Sequence, residues 1–110
     1  MATTRKILGQ NKPGAAADGT NYTVPGATDA VVSSIVVAET GGAATAFRVC
    51  VDAGGGTTTA VGKALAWDVA IAANSIVTLT LGITLAAAAT VVTRSVSGSC
   101  TFTAFGQENT

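Results

Sequence analysis

The chain has 110 residues, the length of one domain. Six basic and six acidic residues cancel, no histidine is present, and only 11% of residues are charged while 48% are apolar and 5% aromatic. The scattered Lys and Arg exclude a basic nucleic-acid surface. The missing histidine removes the commonest general base, the usual catalytic triad and most zinc sites.

Helix signals are nearly absent, and Thr, Val, Ser and Gly dominate, which favours strands. Arg5 to Gln10 reads as an arm or a short edge strand. Asn11 to Asn21 reads as a loop, rich in Gly, Pro, Ala and Asp. Tyr22 to Val24 is a short strand closed by the turn dipeptide Pro25-Gly26. Ala30 to Glu39 is a long Val/Ile strand, apolar on both faces, as in strands buried on both sides or lying at a subunit contact. Gly41-Gly42 is a turn. From Ala46 to Asp52 the pattern alternates, with Phe47, Val49 and Val51 on one face and Arg48, Cys50 and Asp52 on the other. Gly54 to Gly56 forms a hairpin tip.

Alternation resumes from Ala60 to Val69, and Asn74-Ser75 is a turn. Ile76 to Leu81 is a strand, and Gly82 marks a bulge or bend. Leu85 to Ala89 lacks a charged face and a cap, so it reads as a turn between strands rather than a helix. Thr90 to Val96 and Cys100 to Phe105 are the last two strands, separated by Ser97-Gly98-Ser99. Gly106 to Thr110 is a polar tail. About eight short strands with turn signals roughly every ten residues predict an antiparallel sandwich or barrel. The expected organisation is an all-β, single-domain, jelly-roll-like β-sandwich over residues 22–110, preceded by an N-terminal arm and loop over residues 1–21.

Apolar runs such as Val69 to Ala73 fall far short of the roughly 20 residues of a membrane span. The charged pair Arg5-Lys6 has no apolar segment behind it, so no standard secretion signal is expected. The core must be built from small side chains, and a thin core of that kind gains less per residue. Burial against other chains is expected to supply the remainder.

Few residues carry candidate chemistry. Cys50 and Cys100 lie fifty positions apart, which fits neither a metal pair nor a disulfide framework. They read as buried thiols, or as a disulfide within or between chains formed outside the reducing cytoplasm. Arg48 and Asp52 share a strand face and could form an inter-subunit ion pair or a solvated face. Trp67 and Tyr22, the single Trp and Tyr, could stack on a sugar ring or fill core and interface. Asp18-Gly19-Thr20-Asn21 lacks the repeated acidic positions of a calcium loop and reads as a turn. No spacing among the six acidic residues suggests a catalytic carboxylate pair. No enzyme activity, metal or cofactor is expected.

Segments along nearly the whole chain carry a resemblance. They are Ile7-Leu8-Gly9-Gln10, Tyr22-Thr23-Val24-Pro25, Val32 to Val37, Ala44 to Val49, Ile71 to Asn74, Leu79 to Leu85, and Phe102 to Glu108. In this order the chain resembles small virion structural proteins of tailed bacteriophages, although no single motif is specific. The resemblance implies a β-sandwich that assembles, often as a trimer, on a capsid or on the tail and fibre apparatus, and it brings no catalytic residues. The two cysteines depart from that pattern. Cys50 lies out of phase with Phe47 and Val49, whereas Cys100 shares the phase of Phe102, so an intrachain bond is disfavoured and Cys50 is the thiol expected to reach a neighbour.

The expected function is therefore a phage virion structural protein, made in the host cytoplasm. Its expected role is capsid decoration, bridging and stabilising the major capsid protein. The expected partners are copies of itself and other virion proteins, with neither nucleic acid nor membrane. Ile7, Leu8, Arg48, Asp52 and Trp67 are the expected subunit contacts, with the arm Ala2 to Gln10 reaching the next subunit. A tail, collar or fibre component is the first rival reading, and a receptor- or carbohydrate-binding module the second.

Overall fold

A computed structural model describes residues 2–110. Eight strands run in chain order: β1 (Thr3–Asn11), β2 (Gly19–Thr23), β3 (Asp29–Glu39), β4 (Thr45–Asp52), β5 (Ala64–Ile71), β6 (Ile76–Leu85), β7 (Thr90–Ser95) and β8 (Cys100–Asn109). A single 3-10 turn, Val61–Lys63, precedes β5. The strands form two four-stranded sheets, ordered β1-β8-β3-β6 and β2-β7-β4-β5. Every strand pair is antiparallel. Consecutive strands mostly alternate between the two sheets, and the first strand lies beside the last. This is the eight-stranded jelly roll, two Greek keys folded together. The expected fold class is therefore the observed one.

The alternation that marks the strands in sequence also builds the core. Val24, Val32, Ile35, Val37, Phe47, Val49, Val91 and Phe102 are at most 2% exposed between the sheets. Phe47 of one sheet meets Phe102 of the other edge-to-face, with ring centroids 6.1 Å apart at 65°. These two rings are the bulkiest fully buried side chains, in a core otherwise filled by Val, Ile, Leu, Ala, Tyr and Cys.

The termini differ from expectation. Of the two readings of the first segment, the structure has the edge strand: β1 pairs along its length with β8. Gly106 to Asn109, expected as a tail, continues β8 between β1 and β3. Both ends become strands because each supplies the other's hydrogen bonds, from Ile7 opposite Phe105 out to Thr3 opposite Asn109. Beyond them, the amide and carbonyl of Ala2 bond to those of Thr110 at 2.9 Å. Local composition carries no trace of a pairing this distant. Strand β2 begins at Gly19, so the sandwich crosses the expected boundary at residue 21: the expected arm is β1, and the expected loop keeps residues 12–18.

Close approach explains two glycines. A Cβ on Gly9 would come within 3.0 Å of the Asn21 carbonyl, where β1 and β2 meet at one edge of the sandwich. A Cβ on Gly106 would come within 3.0 Å of the Val31 carbonyl on β3. At both positions the backbones approach more closely than any side chain permits.

Candidate functional site

The outer face of the β2-β7-β4-β5 sheet gathers half of the charged residues, in three ion pairs. Arg48 of β4 stands opposite a bulge in β5, because Phe47 pairs with Val69 while Val49 pairs with Ala66. Two residues, Trp67 and Asp68, therefore face one. Asp68 takes the left-handed conformation that the bulge needs (φ 50°). The guanidinium of Arg48 donates to both Asp68 carboxylate oxygens, at 2.6 and 3.2 Å. It also lies over the Trp67 ring, 3.8 Å from the centroid. Asp52 is engaged separately. It accepts from Lys63 Nζ at 2.6 Å and from the Gly54 amide at 2.8 Å. Arg48 and Asp52, read as an inter-subunit ion pair or as a solvated face, are thus each paired within the chain, with Asp68 and Lys63. The reach from Arg48 to Asp68 depends on the bulge, which shifts the hairpin register and has no composition signal.

The segment between β4 and β5 folds back over this face. Thr90 Oγ1 donates to the Gly56 carbonyl at 2.6 Å, and Thr59 Oγ1 donates to Asp18 at 2.7 Å. Beneath it, Cys50 and Val92 are fully buried although they point away from the core. The Cys50 thiol donates to the Ala60 carbonyl at 3.6 Å. Cys100 is also fully buried, within the core cluster. The two cysteines thus face different sides, as the alternation implied, and both are free. The expectation that Cys50 is placed to reach a neighbour is corrected: it is 0% exposed under its own chain. Burial pushes both thiols above their ordinary range. A thiol reagent is accordingly expected to leave both cysteines unlabelled in the native protein and to modify both at once in denaturant. Rapid native labelling of Cys50 would show that the covering segment opens.

On the opposite edge strand of this sheet, β2, Tyr22 is 7% exposed and belongs to the core. It cannot form an exposed platform with Trp67, which lies on the far edge strand of the same sheet and carries Arg48 on its ring. The Tyr22 hydroxyl donates to Glu108 at 2.5 Å, and Lys6 pairs with the other Glu108 oxygen at 2.9 Å. The bond from Tyr22, then the charge of Lys6, holds the Glu108 carboxyl below its usual range. Lys63 does the same for Asp52 and Arg48 for Asp68. Burial, then Glu108, pushes the Tyr22 hydroxyl well above 10.

The signs follow from proton linkage. A carboxylate depressed in the folded state stabilises the fold above its unfolded value of about 4, and that contribution is lost as the pH falls. A tyrosine raised in the folded state stabilises below about 10 and loses that contribution as the pH rises. The melting temperature is therefore expected to fall on both sides, below pH 4 and above pH 10. Tyr22→Phe should flatten the alkaline arm. An unchanged alkaline arm in Tyr22→Phe would remove Tyr22 as its cause.

The remaining expected contacts divide. Ile7 is 54% exposed on the outer face of the β1-β8-β3-β6 sheet, opposite Phe105, and is free to meet another molecule. Leu8, at the β1 bulge, packs on its own core. Beside Ile7 lies a shallow groove of about 470 Å³ lined by Arg5, Lys6, Val31, Ser33, Phe105, Gly106 and Gln107. Among the described residues, no group of three or more His, Cys, Asp or Glu is placed to hold a metal ion. Among the same residues no helix is long and apolar enough to cross a membrane.

No known protein-family model matches the chain, and no curated protein matches it in sequence. Several solved chains match it. One of them is the crystal structure of a pentameric capsid protein isolated from metagenomic phage sequences, 18% identical, with a TM-score of 0.40. The match covers 97% of this chain and 60% of that one, so the chain spans less than two thirds of that protein's length.

Proposed function

We propose that the protein is a structural component of a tailed-phage particle, and specifically a capsid decoration protein that bridges and stabilises coat subunits. The observation that carries this reading is a jelly-roll sandwich whose long edge strand β6 (IVTLTLGITL) holds no charge at all. The jelly roll recurs in viral shells and in lectins, and fold alone does not choose between them. The chemistry of the sites favours the shell. A sugar site needs an open aromatic face. Tyr22 is in the core, and the Trp67 ring is taken by Arg48. The low charge and exposed apolar side chains such as Ile7 and Ile76 suit a chain that is buried among neighbours. Its action would be mechanical: copies arranged about threefold axes, each covering edges and apolar side chains against the next and against the major capsid protein.

Cryo-electron microscopy of the intact particle tests this. Density for the sandwich at repeated positions over the icosahedral shell is the expected result. Density confined to the neck, tail or fibres would replace decoration by the tail reading, and absence from the particle would overturn both.

A further inference from the structure

The sandwich has four edge strands, and three of them are protected against pairing. Strand β1 carries Arg5 and Lys6 and is broken by a register shift between Ile7 and Gly9. Strand β2 is five residues long with a shift between Thr20 and Tyr22. Strand β5 carries Asp68 at its bulge. Charge, shortness and bulges are the devices by which natural proteins blunt sheet edges. Strand β6 shares a bulge, with Leu81 and Gly82 opposite Ser33, but has neither the charge nor the shortness. It runs ten residues with no charge and no proline. Its in-out alternation is unbroken through the register shift opposite Ser33, from exposed Ile76 to buried Leu85. It pairs only with β3, and among the described residues no other backbone hydrogen bond reaches it. Its inward row, Val77, Leu79, Leu81 and Ile83, packs on the core yet stays partly exposed.

We infer that β6 is an interface strand whose occupant is β6 of a second copy of this chain, paired antiparallel across a twofold axis at Thr80. The pattern of the strand is the argument. Residues directly opposite in an antiparallel pair point to the same face. A twofold at Thr80 sets Thr80 against Thr80, Leu79 against Leu81, Val77 against Ile83, and Ile76 against Thr84. Every inward apolar residue then meets an inward apolar residue, and the outward row meets the outward row. Sliding one strand by a single residue would set the inward row of one copy against the outward row of the other. With no charge on the strand there is no like-charge repulsion across the axis, and no handle for a charged partner. The contact is isologous and closes on itself. It joins two four-stranded sheets into one of eight strands. The inference does not depend on the virion reading, and a twofold link of this kind can join threefold clusters.

Two variants test it on the full-length chain. Thr80 is exposed and lies at the axis, where opposed Cβ atoms are about 4.5–5.5 Å apart. Thr80→Cys should form a cross-linked dimer when diamide oxidises the two thiols, whereas Thr4→Cys on the protected edge β1 should not. The native cysteines are buried and give little background. Thr80→Lys should keep the fold by circular dichroism while light scattering shows the unit linked through β6 halving in mass. A single-chain mass for the unaltered protein at micromolar concentration, together with Thr80→Cys cross-linking no better than Thr4→Cys, would overturn the pairing. An assembled mass unchanged by Thr80→Lys would do so as well.

Discussion

Phe102→Ala is expected to destabilise the protein by about 3–5 kcal/mol, the usual loss for truncating a buried phenylalanine. Phe102 is fully buried and meets Phe47 edge-to-face across the two sheets. The rest of the core is small: Val32, Val37, Val49, Val91, Ala104 and Cys100 cannot extend into the space the ring would leave. Their backbones are tied into sheet ladders, so collapse is limited and the cavity term is kept. A domain of this size holds about 5–15 kcal/mol in total, so one substitution removes a large share. In urea, with a slope of about 2 kcal/mol per molar, the unfolding midpoint should fall by about 2 M. A shift under about 0.5 M, or 1 kcal/mol on the same slope, would show that the ring pair is not what joins the sheets.

Gly106→Ala is expected to be nearly as damaging, by a different route. The added Cβ would collide with the Val31 carbonyl and press on Leu8 Cδ1 at 3.0 Å. The obstacle is backbone, so it yields only if β8 and β3 separate. Gly106 faces Val32 on one side and Lys6 on the other. Separation there would loosen the ladder that also holds β1 and the salt bridge from Lys6 to Glu108. Overpacking of this kind costs about 1–3 kcal/mol and more where backbone must move. Gly82→Ala is the matched control, since a Cβ at Gly82 meets nothing within 4 Å. It should be neutral or raise stability by about 0.4–1 kcal/mol through the unfolded chain. Thermal melting of the two variants side by side gives the comparison. Equal melting temperatures would mean that the β3–β8 approach is not tight.

These two predictions rest on different kinds of legibility. Phe47 and Phe102 could be assigned to the core from alternation alone, because side-chain period two is a local property of a strand. For the same reason the opposite phases of Cys50 and Cys100 could be read directly. The close approach at Gly106 could not, because it involves Val31, far away in the chain. Nor could the ion pair of Arg48 with Asp68, which a bulge brings into register, or the cover over Cys50, which a folded-back loop provides.

The all-β class, the approximate strand count and the inner face of β4, with Phe47 and Val49, are legible in the chain alone. Hydrophobic period and turn residues act over a few positions and are written in the chain. The pairing of the two termini as strands, the internal partners of Arg48, Asp52 and Tyr22, and the place of the uncharged β6 at a sheet edge arise only in the folded chain. Those outcomes depend on which distant backbone groups find each other. Any polar strand can offer its hydrogen bonds, and topology alone selects the strand that accepts them.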